Sequence, residues 1–155
     1  KIEELKTILE NTLDERTLLL CVGNELRGDD AVGVYIGREL QSRNFSDIIV
    51  TSNPENYMDV IRKRSPEKII IIDAVDFGER PGSIVFTELR EFPQTISSHR
   101  IQFSKIIKFL GVDKAYILGI QPKKLGFSEE ITPEVRRSAD IIISLLSEVI
   151  RSRRD

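Results

Sequence analysis

The stretch LLLCVGNELRGDD, Leu18 to Asp30, passes from an unbroken apolar run into a glycine-punctuated loop and ends on two adjacent carboxylates. An apolar run without polar alternation belongs to a strand buried on both faces, as in a parallel sheet. Beyond it, Val32, Tyr35, Ile36 and Leu40 recur at helical spacing, so a helix is expected from about Ala31, with Asp30 or Asp29 as its N-cap. Gly33 and Gly37 lie one turn apart on that helix and would let it approach the sheet closely. Strand, loop and helix in this order place the acids on the rim of an α/β sheet.

The same reading extends in both directions. Ile2, Leu5, Ile8, Leu9 and Leu13 mark an amphipathic helix before the Leu18 to Gly23 strand. Downstream, Ile48 to Thr51 is a short strand, Met58 to Arg64 a helix, and KIIIID, Lys68 to Asp73, a second run without alternation. Nine residues, with the turn signal Arg80-Pro-Gly-Ser83, separate Asp73 from the next strand, Ser83 to Thr87. A parallel crossover needs roughly a dozen residues or more, so this fourth strand should run antiparallel. A helix near Phe103 to Leu110, capped by Gly111, then leads to a fifth strand, Ala115 to Ile120. Pro133 opens a last helix whose buried stripe includes Val135, Ala139, Ile142, Leu146 and Val149.

The totals fit this plan. At 155 residues, 40% hydrophobic and 31% charged, the chain suits one domain spanning 1–155. A net charge of −2 with both signs interspersed disfavours a nucleic-acid partner, and the Arg151 to Arg154 run reads as a solvated helix end. The single cysteine, Cys21, excludes an internal disulfide and behaves as a small apolar residue. The first twenty residues are too charged for a signal-peptide core and no apolar stretch is long enough for membrane insertion, so a cytoplasmic location is expected. No oligomeric state is assigned.

Ligands of open α/β sheets gather beyond the carboxyl ends of the strands, where the strand order reverses. The path traced above sends Asp30, Asp73 and His99, the only histidine, to that rim. Two carboxylates and an imidazole suit a borderline divalent ion such as nickel, zinc or iron better than magnesium. Asp30 has an ordinary alternative as an N-cap and His99 as a surface loop residue, whereas Asp73 is the more suggestive, because a carboxylate after four isoleucines must find a partner or reach the rim to stay charged. Asp76 and Glu55 lie nearby, with turn and loop duties to account for them. No serine, cysteine and histidine arrangement supports a covalent route.

Five segments, CVGNELRGDDAVG (21–33), NPEN (53–56), DAVDFGERPG (73–82), SSH (97–99) and LGIQPK (118–123), resemble in order the nickel-iron hydrogenase maturation endopeptidases. The GIQP segment and the aspartate in the first ligand place resemble the branch serving membrane-bound, hydrogen-evolving hydrogenases. The resemblance implies a hydrolase that trims the carboxyl terminus of the hydrogenase large-subunit precursor after nickel insertion. It implies that Asp30, Asp73 and His99 contact nickel supplied by that precursor and carry the chemistry, with no tightly held cofactor of the enzyme's own. Gly23, Asn24, Gly28, Asp29, Gly33 and Glu55 are implied as the supporting loops. It also implies a three-layer α/β/α fold around a five-stranded mixed sheet of order 2-1-3-5-4. The peptide bond would be cut by metal-assisted hydrolysis or by an aspartyl protease pair. Ala31 stands where the family most often has glycine, and Gln102 where a proline is common.

Two other classes share part of the pattern. A phosphoacceptor receiver domain would use Asp29, Asp30, Asp73 and Lys123, but a reversed fourth strand argues against it. A nucleotide-binding module would use GNELRG as a phosphate loop, yet both GxGxxG and the Walker pattern are absent.

Overall fold

A computed structural model describes residues 1–91 and 100–154 of the chain. Five strands, β1 (Thr17–Val22), β2 (Ile48–Thr51), β3 (Lys68–Ala74), β4 (Ile84–Glu88) and β5 (Lys114–Ile120), form one sheet of order β2-β1-β3-β5-β4. The β1–β2, β1–β3 and β3–β5 pairs are parallel, and β4 runs antiparallel to β5. The short connection from β3 to β4 thus has the consequence read from its length.

Among the described residues five α-helices accompany the sheet: α1 (Ile2–Thr12), α2 (Val32–Ser42), α3 (Met58–Arg64), α4 (Arg100–Leu110) and α5 (Pro133–Arg154). The run of isoleucines in β3 explains the three layers, because successive side chains of a strand point to opposite faces. Ile70 and Ile72 join the core beneath α1, α2 and α5, with Val32, Ile36, Leu40, Ile142 and Leu146. Ile69 and Ile71 join the core beneath α3 and α4, with Leu20, Ile61, Phe103 and Ile117. Helices on both faces remove water from both sides of β1 and β3, all of whose apolar residues are buried.

Gly33 fixes how low α2 rides over the strand ends. A methyl group built there would lie 2.2 Å from the Val22 carbonyl oxygen and 2.5 Å from that of Ile72. Only a glycine permits the start of α2 to rest on the carboxyl ends of β1 and β3 together. Gly111 ends α4 at φ 67°, its N–H donating to Ile107 O at 3.0 Å, so the short turn that follows feeds β5 from its amino end. Because β5 is parallel to β3, α4 begins at the carboxyl end of the sheet.

The expected N-cap is not formed. Gly28–Ala31 makes a single 3-10 turn, Ala31 occupies the N-cap place of α2, and no side chain caps it. Neither Asp29 nor Asp30 therefore serves as the cap of α2, and the reason lies in the destination of the Asp29 carboxylate. The α4 start, Arg100, precedes the expected one by three residues.

Candidate active site

The strand order reverses between β1 and β3: the chain moves outward from β1 to β2, then crosses to β3 on the other side. The crevice above that reversal lies beyond Val22 and Ala74, and the chain places an aspartate on each bank. Asp30 is the half-buried third residue of the 3-10 turn that leads from the β1 loop into α2. Asp73 is the penultimate residue of β3 and is fully buried. Its Oδ1 accepts the Ala74 N–H at 2.8 Å. Strand alternation puts Asp73 on the face covered by α3 and α4, in series with Ile69 and Ile71. The Gly33 contact with Ile72 brings the Asp30 turn against the end of β3.

The β1 loop is built around its own carbonyls. Asn24 N–H donates to Asp30 O at 3.0 Å, and Asn24 Oδ1 accepts the Leu26 N–H at 3.0 Å. Gly23 sits so close to this turn that a Cβ would fall 2.4 Å from Asp30 O. Gly28 takes φ 58°, a left-handed conformation that costs a residue with a side chain about 1–2 kcal/mol.

Asp29, next to Asp30, does something the sequence reading did not foresee. It is fully buried, and its carboxylate accepts the backbone N–H groups of Lys123 at 2.8 Å, Lys124 at 2.9 Å and Thr132 at 2.7 Å. The Thr132 hydroxyl adds a fourth donor, 2.9 Å from Oδ2. In return, Asp29 N–H donates to Lys124 O at 2.8 Å and Gly28 N–H to Ser128 O at 2.8 Å. Asp29 thereby latches the β1 loop to the segment between β5 and α5. Its lone pairs are spent on that segment, whereas its neighbour Asp30 is only half-buried.

Gln121, buried at the end of β5, holds the loop that follows Asp73. Its Oε1 accepts Phe77 N–H at 2.8 Å and Glu79 N–H at 3.2 Å, while its Nε2 donates to Asp76 Oδ1 at 3.0 Å. Asp76 Oδ1 also accepts the Gly78 N–H at 3.2 Å, the turn duty anticipated for it. The only sequence signal for Gln121 was its place in the GIQP segment. Thr132, which precedes the proline opening α5, carried no signal for its bond to Asp29.

Glu55 is exposed on the short 3-10 turn Pro54–Tyr57 that follows β2, on the same side of the sheet. Cys21 is buried, which pushes its thiol well above the ordinary range and fits an apolar filler. His99 lies outside the described residues. Among the described residues no group of three His, Cys, Asp and Glu side chains gathers to hold a metal. Also among them, no helix is long and apolar enough to cross a membrane.

An open mixed sheet with an aspartate beside the carboxyl end of each strand at its switch point defines the class: an α/β protein with acidic residues at the rim. The hydrogenase maturation protease family model matches residues 38–149. A Methanocaldococcus jannaschii protein named as a hydrogenase maturation protease is 30% identical over 151 residues, 88% of this chain and 89% of that protein. The hydrogenase 3 maturation protease of Escherichia coli K12 is 29% identical over 136 residues, 83% of this chain and 87% of that protein. Among solved structures, a NiFe hydrogenase maturation protease from Thermococcus kodakarensis superposes with a TM-score of 0.78 at 27% identity, covering 93% of this chain and 99% of that one. The solution structure of an Escherichia coli endopeptidase of this kind gives 0.72 at 28% identity, covering 83% and 86%. The chain belongs to the hydrogenase maturation protease family and is accordingly a hydrolase, an endopeptidase. The receiver and nucleotide-binding readings are thereby set aside.

Proposed function

We propose that this chain, acting as one peptidase domain over 1–155, removes the carboxyl-terminal extension of a nickel-iron hydrogenase large-subunit precursor once nickel has been inserted. The branch that serves membrane-bound, hydrogen-evolving hydrogenases is the one its GIQP segment favours, and the cytoplasm is where the precursor would be met. The observation that carries the reading is the pair Asp30 and Asp73, set on opposite banks of the switch point in a protease of this family.

In this reading nickel is part of the substrate. Ligated by the precursor, it completes its shell with Asp30, Asp73 and His99 and so docks the scissile bond at the rim. Carboxylate oxygen and imidazole nitrogen suit an ion of that borderline character. A precursor without metal lacks the address and escapes cleavage. Two routes to hydrolysis fit the two acids: polarisation of the carbonyl or of a water by the ion, or a carboxylate pair sharing one proton. The first predicts that cleavage rate follows the identity of the inserted metal, and the second that it does not.

Purified chain is mixed with nickel-loaded and nickel-free precursor, and the products are weighed by mass spectrometry. Loss of the extension from the loaded form alone is expected. Equal cleavage of both forms would overturn recognition through the ion. His99→Ala should abolish cleavage of the loaded form with an unchanged circular dichroism spectrum, and normal processing by it would remove His99 from the site.

A further inference from the structure

The segment latched by Asp29 carries apolar side chains outward. Phe127 is 86% exposed and Leu125 40%, and Leu26, on the β1 loop opposite, is 50% exposed. Backbone bonds hold them in place: Ser128 N–H donates to Leu26 O at 3.0 Å, Gly28 N–H to Ser128 O at 2.8 Å, and Arg27 and Ser128 form an isolated parallel bridge. Arg27 Nε reaches Leu125 O at 3.3 Å. The three side chains thus sit on two cross-bonded loops, presented to water, with Asp30 four residues beyond Leu26. From Leu26 a groove continues along α2 past Ala31, the neighbour of Asp30, to Ile131 and Arg136. Glu25 is paired with Arg38 and Lys123 with Glu134, whereas Arg27 and Lys124 meet no carboxylate among the described residues. Glu129 and Glu130 follow on the same segment, also exposed, so the patch is apolar with a margin of both signs.

An endopeptidase must seat a polypeptide on both sides of the bond it cuts, and this patch is continuous with the bank that bears Asp30. We propose that Leu26, Leu125 and Phe127 are the docking surface for the substrate polypeptide, taking an apolar segment of the precursor beside the scissile bond. The inference rests on the precursor reading above and adds a determinant of affinity that is separate from the ion. Burying one aromatic side chain at such a contact corresponds to about a tenfold change in affinity.

The test is kinetic, with a nickel-loaded large-subunit precursor as probe. Phe127→Ala should raise KM about tenfold while kcat changes less than about twofold, and Phe127→Leu should recover most of the loss. Because Phe127 is exposed, the melting temperature should not move. A KM within twofold of wild type in Phe127→Ala, with the wild-type chain cutting normally, overturns the docking surface and leaves the precursor reading intact. If the wild-type chain cuts neither form of precursor, the precursor reading fails instead, and binding of precursor to immobilised wild-type and Phe127→Ala chains still decides the patch. Self-association in sedimentation that is released by Phe127→Ala would assign the patch to a second copy and overturn the proposal.

Discussion

The loop leaving β1 and the loop leaving β3 are fastened to the same piece of chain by opposite chemistry. The first is held by a carboxylate, Asp29, which accepts three backbone N–H groups and a hydroxyl from residues 123–132. The second is held by a neutral amide, Gln121, which accepts two N–H groups and donates one bond. Ser138, on α5, adds a hydroxyl bond to Gly82 O in the second loop. Bonds to a charged acceptor are worth roughly twice neutral ones, and stranding their donors costs more. The Asp30 bank should accordingly be the stiffer, and the Asp73 loop the one with room to adjust as substrate enters.

Removing the charged latch should have the largest effect. Asp29→Ala leaves three partly buried N–H groups and the Thr132 hydroxyl without their acceptor and should cost about 3–5 kcal/mol in urea unfolding. Asp29→Asn should cost about 2–3 kcal/mol, because its amide hydrogens confront donors. Its neighbour sharpens the contrast. Asp30→Asn should leave the melting temperature within about 2 °C while abolishing processing, so adjacent aspartates separate into stability and activity. Equal destabilisation by both would erase the distinction drawn between them.

The neutral latch should yield less. Gln121→Ala should cost about 2 kcal/mol and accelerate amide exchange at Phe77 and Glu79, with Asp29 and Lys124 unaffected. Acceleration at all four would mean that the two banks open together.

The smallest effect is expected at the opposite end of the sheet, which serves as a control. Lys68 Nζ donates to Asp14 Oδ2 at 2.9 Å and to Thr12 O at 2.7 Å. Partial burial pushes the Asp14 carboxyl upward, but the bonds from Lys68, the Arg16 N–H and the Thr17 hydroxyl outweigh it and hold it below the ordinary carboxylate value. A depressed carboxyl contributes stability above its unfolded value that is lost as pH falls through the folded one. Lys68→Met should therefore cost about 1 kcal/mol near neutrality, flatten the acid limb below about pH 4, and leave processing unchanged.

Much of this architecture was legible because burial writes directly into residue type. Isoleucines without alternation in β3 required helices on both faces, and nine residues after Asp73 forced β4 to reverse. Pro133 and Gly111 marked a helix start and a helix end where they occur. The strand order came only with the family resemblance, since neighbouring strands in a parallel sheet leave no mark of which lies beside which. The latch made by Asp29 escaped because its partners are mostly backbone N–H groups, which every residue but proline carries and no sequence pattern distinguishes. Asp and Asp at consecutive positions looked alike as caps, and the fold parted them by giving one a distant set of donors.

With no side chain at Gly33, the first turn of α2 settles directly onto the carbonyl oxygens of Val22 and Ile72. Any larger residue would hoist the helix off the paired strands, and the turn carrying Asp30 would rise with it. The height of that turn above the sheet is thus set by a position that contributes no functional group.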